Sequence, residues 1–187
     1  MSLVQQVSLV AVEDYLHNES NQPLRHEYVD GQVYAMAGAS MNHNRITSNL
    51  VRLLGNHLLG RSCDVFSIDM LLQTSAIRYR YPDVMVSCQT HAENELFVAN
   101  PLLLIEVMSH STRKTDKEIK RLEYLQLPSL MEYALIEQDF VEIEVLRRSQ
   151  SWQPSYYLGD EIVFESIGLH RPVLDIYQRV VNRDMLE

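Results

Sequence analysis

Two apolar runs in this sequence each carry a single acid. Asp83 directly follows Pro82 in the first run, 81–86, and Glu106 sits in the middle of the second run, 100–108. Burying an ionised carboxylate is costly unless a cation or hydrogen-bond donors compensate the charge. If the two runs form neighbouring core strands, we expect both acids to share a positive partner. A divalent metal ion is the natural candidate.

The length and composition of the chain restrict its class. With 187 residues, the chain is predicted to form one domain over residues 1–187, large enough to bury a sizeable core. Hydrophobic residues make up 46% and charged residues 22%, which excludes the disordered and collagen-like classes. The apolar runs fall well short of the roughly 20 residues that span a bilayer, and no signal-peptide pattern is visible. We therefore expect a cytoplasmic protein.

The formal net charge of −9 counts against a nucleic-acid-binding function, because such proteins usually present a basic face to the phosphates. Five of the nine residues from Arg113 to Arg121 are nevertheless basic, and Arg78 and Arg80 lie just before Asp83. The positive charge can therefore be concentrated on one part of the surface, at the opening of the site. A bound divalent ion would add to it.

The two cysteines, Cys63 and Cys88, are far apart in the sequence and lack the paired spacing of a zinc site. This spacing disfavours both a structural metal and a disulfide framework. We expect both cysteines to be reduced residues of the core.

Hydrophobic periodicity and turn residues predict a mixed α/β fold. The pair Asp30-Gly31 separates two short alternating segments and is a strong hairpin signal, because both turn positions tolerate positive φ. The near-continuous apolar run 102–108 is typical of a central strand that is covered on both faces. We predict an α/β domain whose central mixed β-sheet is flanked by helices. Helices are predicted over 8–18, 40–59, 113–126 and 172–180, and further strands within 26–36, 63–73, 84–88 and a meander over 131–164.

The polar residues of these elements form a recognisable series. In order they are Glu27 before Asp30-Gly31, Ala37-Gly38-Ala39-Ser40 leading to His43, Tyr81-Pro82-Asp83-Val84, Ile105-Glu106-Val107-Met108-Ser109, and Asp116 with Lys120 and Tyr124. This series resembles that of the Uma-type putative restriction endonucleases of the PD-(D/E)XK nuclease superfamily, over almost the whole chain. The resemblance implies a restriction endonuclease-like fold and magnesium-dependent cleavage of phosphodiester bonds in DNA.

One position departs from the superfamily pattern, in which a lysine lies two residues after the second acid. Met108 occupies that position here. Asp116, Lys120 and Tyr124 are spaced i, i+4, i+8 and line one helix face, so Lys120 can bring its ammonium group to the same place. The resemblance implies the same migration of the lysine. The alternative is that Lys120 pairs with Asp116 in an exposed helical ion pair worth only about 0.3–0.5 kcal/mol.

The chemistry implied by this set of residues is metal-assisted hydrolysis. Asp83, Glu106 and the main-chain carbonyl of Val107 would hold Mg²⁺ or Mn²⁺, which favour oxygen ligands. Glu27 would complete the site directly or through water. Lys120 would orient the attacking water and offset the charge that develops on the phosphate.

Several of these residues also have structural interpretations. Asp83 can be a hydrogen-bond acceptor at the start of a strand, and Glu27 alone would be read as a solvated cross-strand residue. Asp69 is a further buried-acid candidate of lower weight. His43 begins the long early helix, and a capping or packing role is favoured for it over a role as a metal ligand.

The main functional hypothesis is a metal-dependent DNA endonuclease. One rival is a non-catalytic or regulatory interaction module that retains the nuclease fold, favoured by the net charge and by Met108; another is a different metal-dependent hydrolase of phosphate esters. We also expect a homodimer, because Trp152, Tyr156 and Tyr157 offer apolar surface at the edge of the C-terminal meander and duplex cleavage needs two sites.

Overall fold

The structure, a computed structural model, describes residues 9–67 and 69–184. Residues 8 and 68, which fall in a predicted helix and a predicted strand, lie outside the described part. None of the helices within it is long and apolar enough to cross a membrane. The helices are α1 (Val12–Glu19), α2 (Met41–Leu58), α3 (Arg121–Tyr124) and α4 (Val173–Ile176). The strands are β1 (His26–Val29), β2 (Gln32–Ala35), β3 (Asp64–Ser67), β4 (Leu71–Ser75), β5 (Arg78–Arg80), β6 (Val84–Ser87), β7 (Phe97–Val98), β8 (Leu103–Met108), β9 (Glu132–Glu137), β10 (Ile143–Arg147), β11 (Pro154–Tyr157), β12 (Glu161–Phe164) and β13 (Leu169–Pro172).

Two larger sheets and one hairpin organise these strands. A six-stranded sheet has the order β11-β10-β9-β8-β6-β3, with β8 and β9 parallel and the other pairs antiparallel. A five-stranded sheet has the order β2-β1-β5-β4-β7, and β12 pairs with β13 in a separate hairpin. The predicted mixed sheet with flanking helices is confirmed. The predicted meander ends at β11, because β12 leaves the large sheet.

The turn between β1 and β2 has the predicted chemistry. Asp30 and Gly31 have φ values of 51° and 89°, and Glu27 pairs with Tyr34 across the hairpin. At Gly31 an added Cβ would lie 2.9 Å from the Leu9 side chain, so both the φ angle and the close approach favour glycine. The hairpin places Glu27 on the inner strand of the pair, next to β5.

The core forms on both faces of the six-stranded sheet. On one face, Leu103, Ile105 and Val107 of β8 belong to the cluster that includes the apolar side of α2. On the other face, Leu104 and Met108 pack in a cluster with Tyr124 of α3. Full burial of such side chains stabilises the fold by about 1.5–3 kcal/mol each. Strand β8 is buried along its whole length, as its apolar run predicts.

The predicted helix over 113–126 contains a π-helical segment, Thr115–Lys120, which continues directly into α3. Asp116, Lys120 and Tyr124 are all buried, so they lie on the inward face as their spacing predicts. Single π-helical turns are frequent at functional sites, because they shift the side chains that follow relative to a regular helix.

The prediction for the cysteines is wrong. Cys63 and Cys88 form a disulfide bond, and their Cα atoms are 3.9 Å apart. The reason is the register of β3 and β6, in which Asp64 pairs with Ser87 and the two cysteines are the next pair along. Distance along the sequence carries no information about which residues face each other across two antiparallel strands.

Candidate active site

Asp83 and Glu106 lie on adjacent strands and on the same face of the six-stranded sheet. Val84 pairs with Ile105, so Asp83, at the start of β6, lies next to Glu106 of β8. Met85 belongs to the cluster on the α3 side of the sheet, as do Leu104 and Met108 on either side of Glu106. Because side chains alternate along a strand, both acids point to this α3 side.

Both oxygens of Asp83 have partners. Oδ2 accepts a hydrogen bond from the backbone N–H of Val107 at 2.7 Å, which ties the start of β6 to β8. Oδ1 lies 3.1 Å from Nε2 of His43, near the start of α2. The backbone N–H of His43 donates to Ser40 Oγ, so this residue lies in the capped first turn of the helix. Asp83 is therefore held as a strand-start acceptor and also faces the site.

The Glu106 carboxylate is buried, with 2% of the residue exposed. Oε1 accepts hydrogen bonds from Lys120 Nζ and from the Tyr124 hydroxyl, both at 3.0 Å, and Oε2 takes none from the part of the chain that the structure describes. Burial raises the pKa of Glu106 well above its ordinary value; Lys120 opposes this shift, while Asp83 and Asp116 add to it. Burial is thus the main reason that the ionised form of this carboxylate is disfavoured, and the neighbouring acids act in the same direction.

Lys120 is surrounded by carboxylates. Besides Glu106, its ammonium nitrogen lies 3.4 Å from Asp116 Oδ1 and 3.5 Å from Glu27 Oε1, and only 10% of its side chain is exposed. Burial alone would lower the pKa of Lys120, but the three carboxylates raise it well above its ordinary value, so the ammonium stays charged. The exposed ion pair considered from the sequence is wrong, because the pair with Asp116 is buried.

Glu27 is also largely buried, in contrast to the solvated cross-strand residue that its position in a hairpin predicts. Its Oε2 lies 2.8 Å from Nη1 of Arg80, and Nη2 of the same guanidinium lies 2.8 Å from Glu123. Burial alone would raise the pKa of Glu27, but Lys120 and Arg80 lower it below its ordinary value. The sequence singled out Arg80 only as a charge near Asp83 and did not find Glu123. A buried arginine needs a carboxylate partner, but the sequence around Arg80 does not identify which carboxylate it is.

The acids open into a cavity of about 260 Å³. Its acidic lining residues are Glu27, Asp83, Glu106 and Asp116. Lys120 and His43 are the residues in this lining, as far as the chain is described, that can carry positive charge. The remaining wall comes from the segment that joins β2 to α2 and from the turn after β8. Carboxylates therefore outnumber cationic groups in the cavity.

A hard divalent ion fits this donor set. Residues 9–67 and 69–184 contain no ready group of three or more His, Cys, Asp and Glu side chains with metal-binding geometry. Mg²⁺, however, is usually held by one or two carboxylates and retains several waters. Asp83 and Glu106, with the backbone of Val107 beside them, supply such oxygens in a cavity with surplus negative charge. The residues present therefore suit a Mg²⁺ or Mn²⁺ ion.

Two expectations about other charged residues are corrected. Asp69 is not a buried acid: it lies in the turn that begins at Ser67, its side chain is 76% exposed, and it pairs with Arg25. The basic stretch 113–121 is largely neutralised by two buried glutamates of β9 and β10, so it does not form a free basic surface at the opening of the site. The pairs are Arg113 with Glu137, Lys117 with Glu137 and Glu144, and Arg121 with Glu144.

Comparisons with known proteins agree with this arrangement. Residues 12–173 match the model of a family described as "Uma2: Putative restriction endonuclease". Two uncharacterized proteins of Synechocystis sp. are similar along most of their length. One, slr1290, is 36% identical over 171 residues, covering 89% of this chain and 90% of the relative. The other, sll1609, is 33% identical over 171 residues, covering 88% of this chain and 97% of the relative.

A solved structure shares the fold. The crystal structure of a putative nuclease belonging to DUF820, from Anabaena variabilis, matches with a TM-score of 0.72 and 20% sequence identity, covering 89% of this chain and 98% of that chain. At this level of identity the likeness shows the fold alone. The restriction endonuclease-like fold predicted from the sequence is confirmed.

Proposed function

Since the chain belongs to the Uma2 family, whose description is that of a restriction endonuclease, we propose that it is a metal-dependent endonuclease that hydrolyses phosphodiester bonds in DNA. The observation that carries the proposal is the contact of Lys120 Nζ with Glu106 Oε1 at 3.0 Å, on the same sheet face as Asp83. Two acids on adjacent strands and one buried ammonium form the minimal set for this chemistry.

In the proposed site, Asp83, Glu106 and the carbonyl oxygen of Val107 would hold Mg²⁺ or Mn²⁺. Such an ion would supply an acidified water and polarise the scissile phosphate. Val107 has a second task in this scheme, because its N–H fixes Asp83 through the 2.7 Å hydrogen bond. The ligand set is therefore held in place by the pairing of β6 and β8.

Lys120 acts on the water and on the transition state. Its ammonium, kept charged by three carboxylates, orients the attacking water and offsets the negative charge that builds up on the phosphate. Glu27 lies 3.5 Å from the same nitrogen and keeps the ammonium at the cavity wall. The lysine of the superfamily pattern is thus supplied by a helix and not by the strand.

Three neighbouring side chains position these groups. Tyr124 donates to Glu106, Asp116 contacts Lys120, and His43 faces Asp83. Each of them limits the rotamers of a residue that we place in the reaction. Such support is needed because displacements of about 1 Å can cost on the order of 100-fold in rate.

A second candidate function is a non-catalytic interaction module with the same fold. It is favoured by the ion pairs that neutralise Arg113, Lys117 and Arg121, since these charges are then not free to contact DNA phosphates. The buried ammonium of Lys120 favours the endonuclease. Burying charged groups is costly, and a non-catalytic scaffold does not require four carboxylates and one lysine around a cavity.

The two functions are separated by a plasmid assay combined with calorimetric titration of Mn²⁺. Supercoiled, linear and single-stranded DNA are incubated with Mg²⁺ or Mn²⁺ at low salt, because phosphate contacts weaken steeply as salt rises. We expect one bound ion and metal-dependent nicking or cleavage. A protein that binds no divalent ion and leaves all three DNA forms intact is not a nuclease, and the interaction module is then the better assignment.

A further inference from the structure

One wall of the cavity carries an aromatic side chain that the proposed chemistry does not use. Tyr34 lines the cavity that also contains Glu27, Asp83 and Glu106. It is 50% exposed and belongs to β2, an edge strand whose residues are all exposed. An exposed aromatic ring beside a group of acids has no role in stabilising the core.

The pairing of the hairpin places Tyr34 beside the proposed site. Tyr34 is directly opposite Glu27 in the antiparallel pair β1 and β2. Side chains of directly opposed residues lie on the same face, with Cβ atoms about 4.5–5.5 Å apart. The ring of Tyr34 is therefore next to the carboxylate that contacts Lys120. Its hydroxyl donates to the side chain of Gln32, two residues earlier on the same strand face, which restrains the ring.

The wall beyond Tyr34 is built mostly from small residues. Ala35, Ala37, Gly38 and Ala39 line the cavity after the tyrosine, together with one larger side chain, Met36, which is partly buried and packs against a separate apolar cluster. At Gly38 an added Cβ would meet no atom within 4 Å, so the surface there is open. The small residues at 37–39 therefore leave room for a flat group in this part of the cavity.

The charges around the cavity favour a stacked ligand. Lys120 and His43 are the groups able to carry positive charge in the described lining, and the nearby basic stretch is paired with glutamates. A duplex held mainly by its phosphates needs many free cationic side chains. Stacking of a base on an aromatic ring provides affinity without them and accepts any base.

We propose that Tyr34 stacks on an unpaired nucleobase next to the scissile phosphate, so that the site takes single-stranded DNA. The inference rests on the proposed function and specifies its substrate class. A base inside a duplex has both faces covered by its neighbours, and presenting one to Tyr34 would require it to leave the stack. Single-stranded DNA presents such faces without this cost.

The test compares binding and cleavage of one labelled oligonucleotide, either single-stranded or annealed to its complement. Binding is measured by fluorescence anisotropy in Ca²⁺ at low salt, and cleavage is measured in Mg²⁺. The variants are Tyr34→Ala, Tyr34→Phe and a matched control, Val33→Ala, which changes the preceding residue of β2, outside the lining of this cavity. Both positions are exposed, and thermal melting checks that each of the three variants is folded.

We expect the wild type to bind the single strand at least tenfold more tightly than the duplex. Tyr34→Ala should weaken single-strand binding about tenfold and leave duplex binding unchanged, since one stacked base contributes on that order. Tyr34→Phe, which keeps the ring, and Val33→Ala should both resemble the wild type.

Equal binding of the single strand by Tyr34→Ala and by the wild type overturns the inference, as does a preference for the duplex. If the wild type then still cleaves DNA, the nuclease proposal stands without it. Conversely, single-strand binding that depends on Tyr34 without any cleavage in Mg²⁺ or Mn²⁺ supports the base contact and overturns the nuclease proposal. A protein that neither binds nor cleaves either DNA overturns both.

Discussion

Lys120 Nζ lies 3.0 Å from Oε1 of Glu106, although the two residues come from a π-helical segment and a central strand. The superfamily pattern would place a lysine at the position of Met108, on the strand itself, but Met108 is buried in the apolar cluster beside Tyr124. The contact shows how a helix packed across a strand can bring an ammonium to the same carboxylate.

Replacing Lys120 should separate turnover from metal binding. We expect Lys120→Ala to lower kcat by at least 10²–10³-fold, the size of effect seen when a single electrostatic stabiliser is removed. Mn²⁺ affinity should stay roughly intact, because the carboxylates hold the ion. Cleavage of the DNA form that the wild type cuts best and calorimetric titration of Mn²⁺ measure the two effects. The matched control is Lys114→Ala, on the same stretch but exposed, which should behave as the wild type.

Full activity of the Lys120→Ala variant would contradict the migrated-lysine role while leaving the fold assignment intact. Its thermal melting is measured in Mn²⁺ as well, because the variant leaves Glu106, Glu27 and Asp116 without their ammonium partner. A folded variant that binds Mn²⁺ and does not cleave DNA is the expected outcome.

Glu106→Gln should abolish the stabilisation that a metal ion gives the wild type. A ligand at 100 times its dissociation constant stabilises the folded state by about 2.7 kcal/mol, so Mn²⁺ should raise the melting temperature of the wild type. The glutamine keeps the size of the side chain but removes the charge that the ion needs. Differential scanning fluorimetry in EDTA and in Mn²⁺ measures the shift, and an equal shift in both proteins would show that the ion binds elsewhere.

Glu27→Gln should destabilise the protein relative to the wild type at pH 7. At acidic pH this difference in stability between the two proteins should be smaller. The pKa of Glu27 is lowered in the folded state despite its burial, because Lys120 and Arg80 favour the ionised form. Its contribution is therefore present above the ordinary glutamate pKa of 4.5 and is lost as the pH falls through the lower folded value.

We expect Glu27→Gln to cost about 1–3 kcal/mol at pH 7, the range for a hydrogen bond to a charged group. The difference from the wild type should shrink below about pH 4. Urea denaturation at both pH values measures it. A loss of the same size at pH 7 and at pH 3.5 would mean that the charge of Glu27 contributes nothing to stability.

Arg80→Ala should destabilise the fold far more than the loss of an exposed arginine. The guanidinium joins two largely buried carboxylates, Glu27 and Glu123, and removing one partner of a buried ion pair costs about 3–5 kcal/mol. Arg25→Ala, which breaks the exposed pair with Asp69, is the matched control and should cost about 0–1 kcal/mol. Equal losses in the two variants would contradict the buried network.

A homodimer remains our prediction for the protein in solution. Strand β11 is one of the two edge strands of the six-stranded sheet, and Tyr156 on it is 55% exposed. The sequence also suggested Trp152 and Tyr157 for this surface. Trp152 lies under the guanidinium of Arg148, and the hydroxyl of Tyr157 accepts a hydrogen bond from Arg147. Tyr156 therefore offers the larger apolar surface. Light scattering should report a dimer for the wild type and a monomer for Tyr156→Asp. A monomeric wild type at high protein concentration would contradict the prediction.

Much of the fold and part of the site follow from local patterns. The hairpin at Asp30-Gly31, the long helix α2 and the buried strand β8 are each encoded by periodicity and turn residues within one short segment. Asp83 and Glu106 are recognisable because an acid inside an apolar run is unusual wherever the run is placed. The spacing of Asp116, Lys120 and Tyr124 places them on one helix face, and only the structure shows that this face is buried.

The rest was decided by which segments the tertiary structure brings together. The guanidinium of Arg80 reaches Glu123 across 43 residues of sequence, and Cys63 meets Cys88 through the register of two strands. Asp69 appeared buried from its apolar neighbours, yet a turn places it in solvent. Periodicity describes one element at a time, whereas ion pairs, disulfide bonds and neutralised charges depend on sheet order and register. These are set by the packing of the whole core, and no single segment contains them.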